Sequence, residues 1–342
     1  MATAITITDL TRAARQYKND FEMLPYAVLG TVLAEHGITL FPGVQYKNTI
    51  VSTERKQGIA MPYGVDESIV NRTVGKFTES DLIVLSSVAC VKDNIRSYQQ
   101  VEMIKPNEML GANKTKKHPF HVQMMMDIIK TFGEDLLDAL FPGERDVSDT
   151  TPLGCFDGFE TIILAAITAG DVTGGKGNYL ESGTFAAPAS ESDTNALDYL
   201  VTWLRGANVH LKKNSTLMIP ASIAEYVKDA FSNKYRYKDV TSTALEAYLK
   251  DRCNMRNLKI VISNYMGTGD RLILTAPNNF DFGMNTKGDE KFVQVRNPYE
   301  DPNYVQYWIQ GDYGCRIRSV HEKMFFTNDG SLAANRLSGD YS

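Results

Sequence analysis

Apolar residues recur along this chain first at helical spacing, then in short strand-like runs, then at helical spacing again, and last in strands. Leu10, Ala13 and Ala14, then Leu24, Val28, Val32 and Leu33, predict short amphipathic helices within an arm over residues 1–40. Phe41-Pro42-Gly43 breaks that pattern. Thr49-Ile50-Val51, Gly58-Ile59-Ala60-Met61 and Asp81-Leu82-Ile83-Val84-Leu85 then stand as short strand-like runs between charged stretches such as Ser52 to Gln57. A segment of this kind buries little by itself, so residues 44–103 read as an extended hairpin that needs a partner surface. The strongest periodicity follows, from His118 to about Phe141. Pro119 suits a first helical position, and Val122, Met125, Ile129, Phe132, Leu136 and Leu140 share one face. That helix would run about 33 Å, with Gly133 as a weak point, and Phe141-Pro142-Gly143 ends it.

A second helix is predicted over 157–169, with Phe159, Ile162, Ile163 and Ala166 on one face. A Gly-, Ser-, Thr- and Ala-rich loop covers 170–193. Helices follow around Leu197 to Leu204, around Ile223 to Phe231, and after a Thr243-x-x-Glu246 capping box. Strands then dominate: Leu258 to Ile262, Arg271 to Leu274, Phe292 to Val295, Val305 to Ile309 and Arg316 to Val320, with a polar tail after Asn328. Helices and strands segregate instead of alternating, so the fold class is α+β.

Composition narrows the function. A length of 342 residues favours about two domains. The net charge of −5 lacks the basic excess of a protein that grips phosphates, so a nucleic-acid neighbour is enclosed or avoided, not clasped. No run of about 18 apolar residues is present to span a membrane, and the start of the chain lacks the basic-then-apolar order of a signal peptide. Cys90, Cys155, Cys253 and Cys315 are isolated in sequence, forming neither a metal-binding pair nor a disulfide framework, and read as buried free thiols.

Candidate chemistry is sparse. Gly170-Asp171-Val172-Thr173-Gly174-Gly175-Lys176-Gly177 fits the first seven positions of a phosphate-cradling loop, but Gly177 stands where Ser or Thr would hold magnesium, and the preceding run has helical spacing. A flexible surface loop is the plainer reading. His118 and His121 can share a helix face but have no further ligand cluster. Asp157 and Glu160 read as charges complementing a helix N-terminus. His210 and Asp198 lack any nucleophile elbow beside them. No catalytic, cofactor or metal site is therefore assigned. Tyr299, Tyr304, Tyr307 and Tyr313 cluster near Trp308, as suits core packing or a subunit interface.

The order of elements resembles the Hong Kong 97 fold of tailed-phage major capsid proteins and encapsulins: an N-terminal arm, an extended loop, a long spine helix in a peripheral domain, an axial domain, and strands that return to the peripheral domain. Leu211 to Pro220, leading into the helix Ile223 to Phe231, is similar to the strand-to-helix step of the axial domain, and Asp270 to Pro277 to its later strand. Tyr304 to Phe326 looks like the returning strands. Among variants, the flavour is closest to phages and prophages of gut Bacteroidetes. The resemblance implies an arm over 1–40, a loop over 41–105, a peripheral domain from 106–150 and 304–327, an axial domain over 151–303 and a tail over 328–342. It implies pentamers and hexamers enclosing double-stranded DNA in a virion assembled in the host cytoplasm, with scaffold and portal proteins as partners. The arm begins at Met1 and leaves no room for a removable scaffolding region, so a separate scaffold is expected. The expected interface residues are Arg55, Lys56, Tyr299, Tyr304 and Trp308. A cargo-enclosing encapsulin, a tail-tube subunit and a nucleotide-binding enzyme are the alternatives.

Overall fold

The structure is a computed structural model that describes residues 16, 18–55, 75–94, 120–235, 241–285, 293–296 and 304–333. Its first core begins with α1 (Lys18–His36), a single 19-residue helix with Pro25 inside it, where the sequence predicts short helices in an arm. Phe21, Leu29 and Leu33 are buried in this chain's own core, because the apolar stripe finds a partner in α2 (Phe120–Asp138). Met125, Ile129, Phe132 and Leu136 line that partner's buried face. α2 runs unbroken through Gly133, where an added Cβ would lie 3.4 Å from the Val28 side chain. Helix α3 (Phe159–Thr168) adds Phe159, whose ring stacks on Phe280 at 4.6 Å.

These helices cover a five-stranded sheet. In chain order, β1 (Thr39–Pro42) leads into β2 (Lys47–Arg55) and β3 (Gly75–Ile83), which pair only with each other as an antiparallel hairpin, and then β4 (Leu85–Asn94). The sheet joins β1 and β4 to β9 (Phe280–Asn285), β10 (Val293–Arg296) and β11 (Tyr304–Ile317). β11 is one continuous 14-residue strand where the sequence predicts two. It pairs along one edge with β4, and along the other with β10 and then β9. Val305, Tyr307, Ile309 and Tyr313 are buried, while Tyr304, Gln306, Trp308 and Gln310 alternate with them on a half-open face. The predicted hairpin over 44–103 is thus shorter: its second limb passes Val84 and enters the sheet as β4.

The second core lies in residues 185–274, with Phe326 added from the end of the chain. It holds α4 (Asn195–Gly206), α5 (Val209–Lys213), β5 (Asn214–Pro220), α6 (Ala221–Tyr235), α7 (Ser242–Cys253) and β6 (Asn257–Ser263). After the small strand β7 (Thr268–Gly269), β8 (Ile273–Thr275) and β12 (Phe325–Thr327) complete a sheet ordered β12-β8-β5-β6, and β13 (Leu332–Ala333) pairs with β7. β5 is buried at every position after Asn214, as expected for a central strand parallel to β6. Thr241 caps α7 by accepting the Ala244 amide, so the cap sits two residues before the predicted Thr243. The cores divide the chain elsewhere than at 150 and 303: Phe156, α3 and β9 pack in the first core, since their apolar faces meet α2 and β11.

One predicted charge has a second role. Glu160 stands in the first turn of α3, as predicted, and is in addition buried in an ion pair with Arg271 at 2.9 Å. Arg271 also donates to the Asn328 carbonyl, so this polar cluster lies where the two cores meet. The cysteines are free, but only Cys253 and Cys315 are buried; Cys90 is exposed and Cys155 half-buried. Cys90 sits exposed on strand β4, where its sulfur accepts from the Gln306 side chain at 2.7 Å.

Candidate assembly surfaces

The hairpin presents two unlike faces. Cross-strand register places Lys47, Thr49 and Val51 with Phe77, Glu79, Asp81 and Ile83 on one side. That side is open: Val51 is 55% exposed, Phe77 71% and Ile83 45%, with Tyr46 beside the base at 71%. Exposed apolar groups set among charges on a thin two-stranded arm mark a surface suited to burial by a partner. Asp81 accepts from Lys47 at 2.7 Å and from Thr49 at 2.6 Å, and these bonds hold its carboxyl below the usual carboxylate range.

The opposite side meets the body at its base. Leu82 and Val84 are buried with Val44 against Phe41 in a small core of their own. Beneath them Gly283 on β9 and Gly314 on β11 are direct cross-strand partners. A Cβ on Gly314 would lie 2.0 Å from the Ile83 carbonyl, and one on Gly283 2.9 Å from Val84, so the hairpin base rests on backbone that only glycine leaves bare. Arg316 donates to Asp281 at 3.0 Å, to the Asn48 carbonyl on β2 at 2.8 Å and to the Ser80 carbonyl on β3 at 3.3 Å. Arg318 binds the same carboxylate at 2.8 Å, so fully buried Asp281 is paired with two guanidinium groups.

The half-open face of the five-stranded sheet is the second surface. Lys92 lies over the Tyr304 ring at 4.9 Å and Arg296 over the Trp308 ring at 5.4 Å. Val88 and Cys90 share this face by register with Gln310 and Trp308. Of the expected interface residues, the structure therefore brings Tyr304 and Trp308 together on one face. Arg55 is the last residue of β2, some 30 Å along the hairpin from its base. Lys56 and Tyr299 lie outside the described residues. Sequence reading missed Tyr46, Val51, Phe77 and Ile83; the available signal was a lone aromatic, Phe77, in an otherwise polar run.

The candidate chemistry disperses. In the Gly170 loop, Lys176 pairs with Asp171 at 3.0 Å. The Asn178 side chain ties the loop by accepting from Thr173 and donating to the carbonyls of Asp171 and Val320. A cleft of about 630 Å³ beside it is lined by Glu79, Asp171 and Glu322 as well as Lys176, Arg318 and His321, a mixture that favours neither charge of ligand. Asp198 is bound to Thr194 and Lys234, not to His210. His118 and the side chain of His121 lie outside the described residues. Among the described residues no group of three or more His, Cys, Asp or Glu is placed to hold a metal, and no helix is long and apolar enough to cross a membrane.

No family model matches the chain, and no curated protein does. Solved structures do. The chain is similar to the capsid subunit of an empty GTA particle, with a TM-score of 0.53 at 12% identity over 88% of this chain and 96% of that one. It is similar to a chain of the satellite phage P4 procapsid, whose structure includes the size determination (Sid) protein, with a TM-score of 0.54 at 10% identity over 88% and 89%. The capsid of Myoviridae phage XM1 matches with a TM-score of 0.50 at 13% identity over 88% and 92%. At these identities the likeness speaks for architecture: the chain has the α+β, Hong Kong 97-like fold of phage capsid subunits.

Proposed function

We propose that the chain is a structural shell subunit, a major capsid protein of tailed-phage type, which assembles into pentamers and hexamers around double-stranded DNA. The observation that carries this reading is the near-complete alignment with capsid chains, 88% of this chain against 96% of the GTA subunit. The acidic net charge agrees with DNA that is confined and not gripped. The open hairpin face and the half-open sheet face supply surfaces for neighbours. Many modest contacts of this kind, repeated under closed symmetry, give a stable particle.

In this reading the first core is the peripheral domain, with α2 as its spine, and the second core is the axial domain meeting its copies around fivefold and sixfold axes. The role is structural and not catalytic. Assembly takes place in the host cytoplasm and the product resides in the virion, with a portal as a further partner. The Sid protein of the P4 procapsid is a precedent for a separate assembly factor, which agrees with a scaffold supplied in trans. Negative-stain electron microscopy of the purified chain, alone and co-expressed with its genomic neighbours, tests the proposal. Closed icosahedral particles or five- and six-membered rings are expected. A monodisperse monomer or dimer in both preparations would overturn it, and particles filled with protein instead of DNA would reassign the cargo.

A further inference from the structure

We infer that Arg316 is a positioning residue that locks the base of the β2–β3 hairpin to the body of its own chain, fixing the arm's direction before any neighbour is met. The lock is a property of the single chain; only its consequence for shell geometry rests on the proposed function.

The guanidinium group touches both strands of the arm at once. Its bonds to the Asn48 and Ser80 carbonyls reach the two different strands of the hairpin, whose register pairs Asn48 with Leu82 and Ser80 with Ile50. The group is itself oriented, because Asp281 on the neighbouring strand holds it and Arg318 holds Asp281 from the other side. The Ser80 hydroxyl adds a third tie, to the Ile317 carbonyl at 3.0 Å. The Phe41 ring lies 5.8 Å from Arg316 and 5.5 Å from Arg318. With the Gly283–Gly314 seat beneath, the base is held from below by backbone contact and from the side by charge. On the hairpin's other face Thr49, Val51, Phe77 and Glu79 are exposed. The described part of the arm is therefore tied to the body on one face at its root and open on the other.

Such a root transmits small angles as large displacements. A strand of nine residues reaches about 30 Å, so a pivot of about 10° moves the far end by about 5 Å, more than a packed contact between subunits tolerates. Since closure of a shell depends on a repeated angle between identical subunits, the root is where that angle is set. Lysine cannot replace this arginine. It keeps the charge toward Asp281, but one compact ammonium lacks the fork that reaches a carboxylate and two carbonyls together.

The test compares full-length Arg316→Lys with Arg318→Lys, which keeps the charge pair and has no bond to the hairpin. Hydrogen exchange is followed on the unassembled subunit, and particle diameters are measured by electron microscopy after assembly. Arg316→Lys is expected to speed exchange at the hairpin base, residues 47–51 and 78–83, by about tenfold, leaving β5 and β6 unchanged, and to widen the distribution of particle diameters. Arg318→Lys, which acts on the hairpin only through Asp281, is expected to speed the same amides less than Arg316→Lys does, and an equal or larger effect would overturn the assignment of the lock to Arg316. Ser80→Ala, which removes one neutral tie and leaves the buried charges alone, should speed the same amides by about threefold. Unchanged base exchange in both Arg316→Lys and Ser80→Ala would overturn the lock. Faster exchange with wild-type particle diameters would overturn its role in shell geometry. Absence of particles from the wild type itself would instead remove the shell reading, with the exchange result still deciding whether the lock exists.

Discussion

Strands β5 and β2 begin from similar sequence and end in opposite situations. Each has a short apolar run inside a polar stretch, Leu217-Met218-Ile219 in one and Ile50-Val51 in the other. β5 is covered on both faces, because α4, α6 and α7 pack on one side and the first core reaches it on the other through Met218. β2 has one partner strand, an anchored base and an open face. Burial here is a property of what the chain places around a strand, not of the strand's own pattern. The second core is closed on itself, and the hairpin has its apolar groups still to spend.

Mutations can probe that contrast, and the largest effect is expected inside the second core. Trp203 is buried with its ring 4.8 Å from Phe326. Trp203→Ala should cost about 4 kcal/mol of subunit stability, read from urea denaturation of the unassembled chain. Glu160→Gln strikes where the two cores meet and leaves the Arg271 charge buried without its counterion. A loss of about 3 kcal/mol is expected in the same assay.

Asp135 should give a smaller change of opposite sign. Burial, with Asp138 and Glu134 nearby, pushes its carboxyl up to about 6. Between its ordinary value of 3.8 and about 6 the folded chain binds more protons there than the unfolded chain, so this group's contribution to stability falls as pH rises through that window. Asp135→Asn should therefore raise the melting temperature at pH 7 and leave it unchanged near pH 3.5. A raised melting temperature at both values would assign the gain to something other than ionisation.

The least effect on folding belongs to the hairpin's open face. Val51→Ser and Phe77→Ser should each shift subunit stability by no more than about 0.5 kcal/mol, yet lower the yield of assembled particles in sedimentation. An equal loss of stability and assembly would mean that this face already serves its own subunit.

The long periodic elements were legible because periodicity is a local signal. The α2 face Met125, Ile129, Phe132 and Leu136 is the predicted one, and β5 followed by α6 appears where the strand-to-helix phrase stands. The order of elements was enough to point to the capsid fold. What stayed hidden depends on partners distant in sequence. The ion pair of Glu160 was hidden because Arg271 lies 111 residues away. Residues 18–36 looked like a loose arm because α2, which receives them, is a hundred positions downstream. Aromatic clustering singled out Tyr304 and Trp308, but nothing local sets Arg316 apart when its ligands are carbonyls of residues 48 and 80.

The discontinuity of the first core has a consequence for the order of events during synthesis. The second core draws mostly on residues 185–274, with Phe326 and strand β12 joining it later in the chain. The first core needs Val305 to Ile317 as the centre of its sheet, and β11 supplies both Arg316 and the face bearing Tyr304 and Trp308. Domains fold as their residues emerge, so most of the second core can mature before β11 completes the sheet of the first. The face bearing Tyr304 and Trp308 therefore forms after the helices of the second core, by the wiring of the chain alone.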